Sequence, residues 1–164
     1  MPPSRRSILA GFAAAPFFPR AALAAAPLKI VATTGMVADG ARAIAGDAAE
    51  VQALMGPGVD PHGYRQTRSD ILAMTRADLV LWNGHYLEAQ LEEFLGKLAS
   101  RVPVVAVAEA LPQDQLLRHA DYEGRADPHI WMVPELWRAA VTAMRDAMID
   151  ARPALAETFT ANAK

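Results

Sequence analysis

Short apolar runs alternate along the chain with longer stretches of helical spacing. Leu28-Lys29-Ile30-Val31-Ala32-Thr33 predicts a first strand; residues 50–55, 78–82 and 102–107 predict three more. The last of these is nearly continuous in apolar residues, as a strand covered on both faces requires. Met36, Val37, Ala41 and Ile44 recur at helical spacing, and Gly46 stands where a C-terminal cap belongs. Thr67 with Asp70 three residues on resembles a capping box opening a helix to about Thr75. Leu87, Leu91, Phe94, Leu95 and Leu98 share one face of a helix over 87–98. Pro134 at a first turn predicts a helix to about Ile149, and Pro153 starts another that runs to Lys164. Residues 56–64, dense in Gly and Pro, and the polar stretch 111–127 read as loops. Alternating strands and helices imply an α/β fold, a parallel four-stranded sheet with helices on both faces. Trp82, Trp131 and Trp137 read as core residues, and no internal linker or repeat longer than a tripeptide is visible.

Composition narrows the chemistry. Lys plus Arg number 16 and Asp plus Glu 18 in 164 residues, a formal charge of −2. That balance supplies no electrostatic reason to expect nucleic acid or an anionic membrane as partner. Hydrophobic residues at 52% against 21% charged describe a packed chain rather than a disordered one. There is no cysteine, so disulfides, thiolate metal sites, cysteine nucleophiles and a lipid-bearing N-terminal Cys are excluded from these residues. A metal site must draw on His, Asp and Glu, and the histidines are His62, His85, His119 and His129.

The amino terminus reads as an address. Arg5-Arg6 precede an apolar run, Ile8 to Ala15, too short for the ~20 residues of a membrane-spanning helix. Ala22-Leu23-Ala24 fits the small-x-small rule for cleavage, and Arg20 beside it suits the twin-arginine route. Residues 1–24 are thus expected to be an export signal. Its removal takes three arginines and no acid, leaving a formal charge of −5.

Two identical tripeptides, Asp60-Pro61-His62 and Asp127-Pro128-His129, lie in separate loops. One such tripeptide arises by chance on the order of once per hundred chains of this length, so a matched pair points to shared chemistry. Proline fixes its own φ and biases the preceding Asp toward extended backbone, so each His leaves a stiff loop in a defined direction. Neutral imidazole is the commonest protein ligand of divalent transition metals. His62 and His129 are therefore the candidate metal ligands; the competing reading is that each caps its loop through hydrogen bonds. His85 follows a strand end and suits a turn role. His119, with Asp114, Asp121 and Glu123, forms a polar cluster typical of loops. Trp131 stands two residues past His129, where it would shield the site.

Four segments carry a resemblance: Thr34-Gly35-Met36-Val37-Ala38-Asp39, Leu54-Met55-Gly56-Pro57-Gly58-Val59-Asp60-Pro61-His62, Ala77 to Gly84, and Asp127-Pro128-His129-Ile130-Trp131. In this order and spacing the chain resembles the metal-binding solute-binding proteins of ABC importers for zinc and manganese. The match runs over residues 28–164. It implies two α/β lobes joined by a long helix, with residues 25–152 as the N-terminal metal-binding lobe and 153–164 as the approach to that helix. It implies His62 and His129 as two ligands of a Zn or Mn ion, the other two, a His or Glu and an Asp, coming from a C-terminal lobe beyond Lys164. The expected molecule is a monomeric periplasmic receptor, here an N-terminal half with an incomplete site. It would pass its cargo to a permease driven by a cytoplasmic ATPase, without catalysis. Tyr64-Arg65 stands where Tyr-Lys is common in the family, and His85-Tyr86 where Leu-His or Leu-Asn is. An exported metal-dependent hydrolase is the first alternative, though no HExxH motif occurs. An adhesion or structural protein without a metal is the second.

Overall fold

The computed structural model describes residues 26–120 and 122–164. The expected export signal at 1–24 lies outside the described residues, as does Asp121. Four strands, β1 (Leu28–Ala32), β2 (Ala49–Ala53), β3 (Leu79–Trp82) and β4 (Val104–Ala106), form one parallel sheet in the order β2-β1-β3-β4. Parallel neighbours need crossover connections. These are α1 (Gly35–Ala45), α2 (Arg68–Thr75) and α3 (Glu92–Leu98), while α4 (Pro134–Ala151) and α5 (Ala156–Asn162) follow the last strand.

Period-two alternation divides the strands between two cores. Ile30, Ala32, Leu79 and Leu81 turn one way, onto Val37, Ala41 and Ile44 of α1, Met144 and Met148 of α4 and Phe159 of α5. Val31, Val80 and Trp82 turn the other way, onto Met74 of α2 and Leu95 and Leu98 of α3. Helices thus cover both faces, and β3 is buried along its whole length. The α4 stripe Ala140, Met144, Met148 has the four-residue spacing of a single buried face. Gly40 lets it approach α1, since a Cβ there would stand 3.0 Å from Met144 Sδ.

Helix ends follow the local chemistry. Thr34 Oγ1 accepts from Val37 N–H at 3.4 Å, and Gly46 closes α1. Thr67 and Asp70 form the full reciprocal capping box at the start of α2. Elsewhere the structure corrects the expected bounds. The helix expected over 87–98 begins only at Glu92, because Gly84, His85 and Tyr86 all take positive φ (87°, 50° and 69°) and the chain turns before it can coil. The strand expected over 102–107 keeps only Val104–Ala106; Pro103 has no N–H for the ladder, and Val107–Ala110 winds into a 3₁₀ turn. The terminal helix opens as a 3₁₀ turn, Pro153–Leu155, because a residue before proline is driven out of helical geometry, here Arg152 at φ −145°. Trp82 is buried and Trp137, half-buried, packs against the core beside Gly40, whereas Trp131 is half-buried against the His129 ring and is not a core residue. Among the described residues no helix is long and apolar enough to cross a membrane.

Candidate metal centre

Strand order reverses between β1 and β3, and open α/β sheets take ligands at the carboxyl ends of strands flanking such a reversal. The loop after β2 carries His62, and the loop before α4 carries His129. Both loops are built the same way. Asp60 Oδ1 accepts from His62 N–H at 3.0 Å, and Asp127 Oδ1 accepts from His129 N–H at 2.8 Å. Each Asp therefore closes a turn on the His two residues on, with proline fixing the φ between them.

The two imidazoles meet. Their Nε2 atoms lie 3.3 Å apart, with ring centroids at 5.4 Å and planes inclined by 49°. A tetrahedral ion with metal–nitrogen bonds of about 2.0–2.1 Å holds two ligand nitrogens ~3.3–3.4 Å apart, so this separation needs no rearrangement to take one. Without an ion the same spacing suits a hydrogen bond between the rings. His129 Nδ1 lies 2.7 Å from Asp127 Oδ1. Donation from Nδ1–H to that carboxylate leaves Nε2 with its lone pair toward His62, the second-shell arrangement that orients metal-binding histidines. Burial alone would raise the Asp127 pKa. The hydrogen bonds from His129 N–H and its ring, with the charges of His129 and His119, instead hold it below its ordinary 3.8.

Trp131 packs edge-on to the His129 ring at 5.2 Å, flanking the site as expected. Both histidines remain exposed, and Met132 and Val133, three and four residues past His129, present apolar surface to solvent. The other histidines are engaged elsewhere. His85 Nε2 lies 3.0 Å from Ala108 O, which fixes it in the left-handed turn after β3. His119 Nδ1 accepts from Tyr122 N–H at 3.3 Å, and its ring packs edge-on to Tyr122. Among the described residues, which do not include Asp121, no group of three or more His, Asp or Glu side chains gathers as a metal site.

The description "Zinc-uptake complex component A, periplasmic" (ZnuA) belongs to a family that matches residues 30–164. The chain belongs to the ZnuA family. Manganese-binding lipoprotein MntA of Bacillus subtilis is 40% identical over 138 residues, 84% of this chain and 44% of MntA. Iron-binding protein YfeA of Yersinia pestis is 37% identical over 136 residues, 83% of this chain and 43% of YfeA. The structure of the periplasmic zinc-binding protein TroA from Treponema pallidum superposes with a TM-score of 0.79 at 37% identity, covering 84% of this chain and 49% of TroA. The chain thus spans less than half the length of these ZnuA-family relatives. The four-stranded parallel lobe is shared with TroA.

Sequence reasoning missed three buried polar residues beside the site: Thr33, Asn83 and Glu88. The one available signal was placement, since Thr33 and Asn83 directly follow β1 and β3 at the order reversal.

Proposed function

We propose that this chain binds a divalent transition metal, Zn or Mn, through His62 and His129, as the N-terminal lobe of a periplasmic receptor for an ABC importer. The observation that carries the reading is the 3.3 Å approach of two Nε2 atoms from loops 67 residues apart, one ring braced by Asp127. The role is capture and hand-over to a permease with a cytoplasmic ATPase, not catalysis. ZnuA-family relatives named for manganese, iron and zinc all share this half of the molecule, which fits a lobe that supplies common imidazole donors. Zinc sites usually take four donors. With two imidazoles as donors, the rest of the shell is open to water or to a second lobe. Binding by these residues alone is then weak and rapidly exchanging. It also weakens in acid, because a protonated imidazole cannot ligate.

Calorimetry of the chain with Zn(II) and with Mn(II) tests this reading. The expected result is weak binding that the His62→Ala, His129→Ala double variant abolishes. Tight one-to-one binding by these residues alone contradicts the open-shell part of the proposal. Binding unchanged in the double variant overturns the ligand assignment.

A further inference from the structure

Glu88 is fully buried, and three neutral donors converge on its carboxylate. Oε1 accepts from Thr33 Oγ1 at 2.6 Å and from Asn83 N–H at 2.9 Å, and Oε2 accepts from Gly84 N–H at 3.2 Å. One side chain thereby ties the end of β1 to the end of β3 across the sheet's order reversal. A buried carboxylate is costly to keep, and fold stability alone is as well served by an apolar residue of similar volume.

The ties continue outward to both histidine loops. Thr33 O accepts from Met55 N–H at 3.0 Å, at the head of the loop that ends in His62. Asn83 Nδ2 donates to Pro128 O at 3.0 Å and to Gly84 O at 3.1 Å. Pro128 is the residue directly before His129. The orientation of the Asn83 amide is forced, because two carbonyl oxygens face it and only its nitrogen can donate to them. Its Oδ1 is buried without a hydrogen-bond partner among the described residues.

We propose that Glu88, Asn83 and Thr33 are positioning residues for the metal site, a buried polar clamp that holds the Pro128 carbonyl and the Met55 backbone in fixed relation so that His129 and His62 converge. The proposal rests on the metal reading of the two histidines and deepens it. Asn83 acts on His129 through one peptide unit. Thr33 acts on His62 through the longer Met55–Pro61 loop, so the Asn83 arm is the stronger. The left-handed path of residues 84–86 follows from the same device, because it turns Glu88 back beneath the strand ends from which its three donors come.

The test uses the full chain and its Asn83→Leu, Thr33→Val and Thr33→Ser variants, with His129→Ala as control. Circular dichroism checks folding, Zn(II) calorimetry reads affinity, and NMR of the metal-free chain reads the Overhauser contact between the two imidazole rings. The clamp predicts that Asn83→Leu keeps its secondary structure, loses the ring-to-ring contact and binds Zn(II) about 10–100-fold more weakly, the usual effect of removing an outer-shell partner. Thr33→Val gives a smaller loss in the same direction, and Thr33→Ser, which keeps the hydroxyl, restores wild-type affinity. If Asn83→Leu does not fold, the Thr33 pair still decides, since valine matches threonine in shape. Ring contact and affinity unchanged in the folded Asn83→Leu or Thr33→Val variants overturn the clamp. A wild-type chain that takes no Zn(II), with ring contact still lost in Asn83→Leu, overturns the metal reading and leaves the positioning role standing.

Discussion

Replacing Tyr64 by Phe removes one oxygen, two residues past His62, and tests how the His62 loop is fastened to α2. Tyr64 Oη donates to Asp70 Oδ2 at 2.7 Å, and the same oxygen accepts from Thr67 N–H and Thr67 Oγ1 at 2.7 Å each. Asp70 is buried, and Tyr64 half-buried. A hydrogen bond to a charged acceptor contributes about 1.5–3 kcal/mol, and the lower end, ~1.5 kcal/mol, suits a partner still in reach of water. Unfolding entropy for a chain of this size converts 1 kcal/mol to about 3 °C, so Tyr64→Phe should lower Tm by about 5 °C. Asp70→Asn should cost about 2 kcal/mol, because the capping box and the charge go together. The double variant should cost about 1 kcal/mol less than the sum, since the two residues share one contact.

The pH profile gives an independent reading of the same contact. Burial, and then the hydrogen bond and charge of Asp70, push Tyr64 from 10.0 to about 12. Between those values the unfolded chain loses the phenol proton before the folded one does, so stability from this group falls as pH rises through that window. Tyr64→Phe removes that alkaline slope. For Asp70 burial opposes ionisation, but the bonds from Thr67 and Tyr64 outweigh it and the pKa lies below 3.8. Its contribution is present above that value and is lost as pH falls through the folded pKa. Urea unfolding across pH measures both limbs. A Tyr64→Phe protein with unchanged Tm and the same alkaline slope would refute the tether.

Three further outcomes follow from the packing. Phe159, fully buried where α5 meets the sheet core, should cost about 3–5 kcal/mol as Phe159→Ala, read as a lower urea midpoint. Gly84→Ala should destabilise by about 1–3 kcal/mol, because φ is +87° and the new Cβ would stand 3.0 Å from Ala106 Cβ; thermal melts check it. Burial raises the pKa of Glu88 above 4.5 against its three hydrogen bonds, so ionising it lowers stability as pH rises from that value. Glu88→Gln should therefore show a flatter decline toward neutral pH than wild type in urea titrations.

Much of this molecule was legible because each level of its sequence agrees with the next. The four apolar runs announce the four strands, and the sheet uses them all; the run at 102–107 suggests burial on both faces, yet β4 is a half-buried edge strand and β3 is the one buried along its length. Thr67 with Asp70, and Gly46, mark helix ends by local chemistry and stand at those ends. The paired Asp-Pro-His tripeptides singled out two side chains, and the structure brings their rings together. What escaped reading depends on distant contacts. The delayed start of α3 arises from three consecutive left-handed residues, two of them not glycine, which no spacing rule anticipates. Glu88 looks like an ordinary surface acid beside Leu87 until Thr33, 55 residues away, is placed against it. Trp131 is apolar enough for a core but stands at the site, half-covered beside the His129 ring.

X-ray absorption at the zinc edge of the Zn(II)-loaded chain tests the central claim most directly. The account predicts two imidazole nitrogens at about 2.0–2.1 Å with oxygen donors completing the shell, and loss of the imidazole scattering in the His62→Ala, His129→Ala variant. A zinc shell of oxygen donors alone, or imidazole scattering that persists in that double variant, would contradict it.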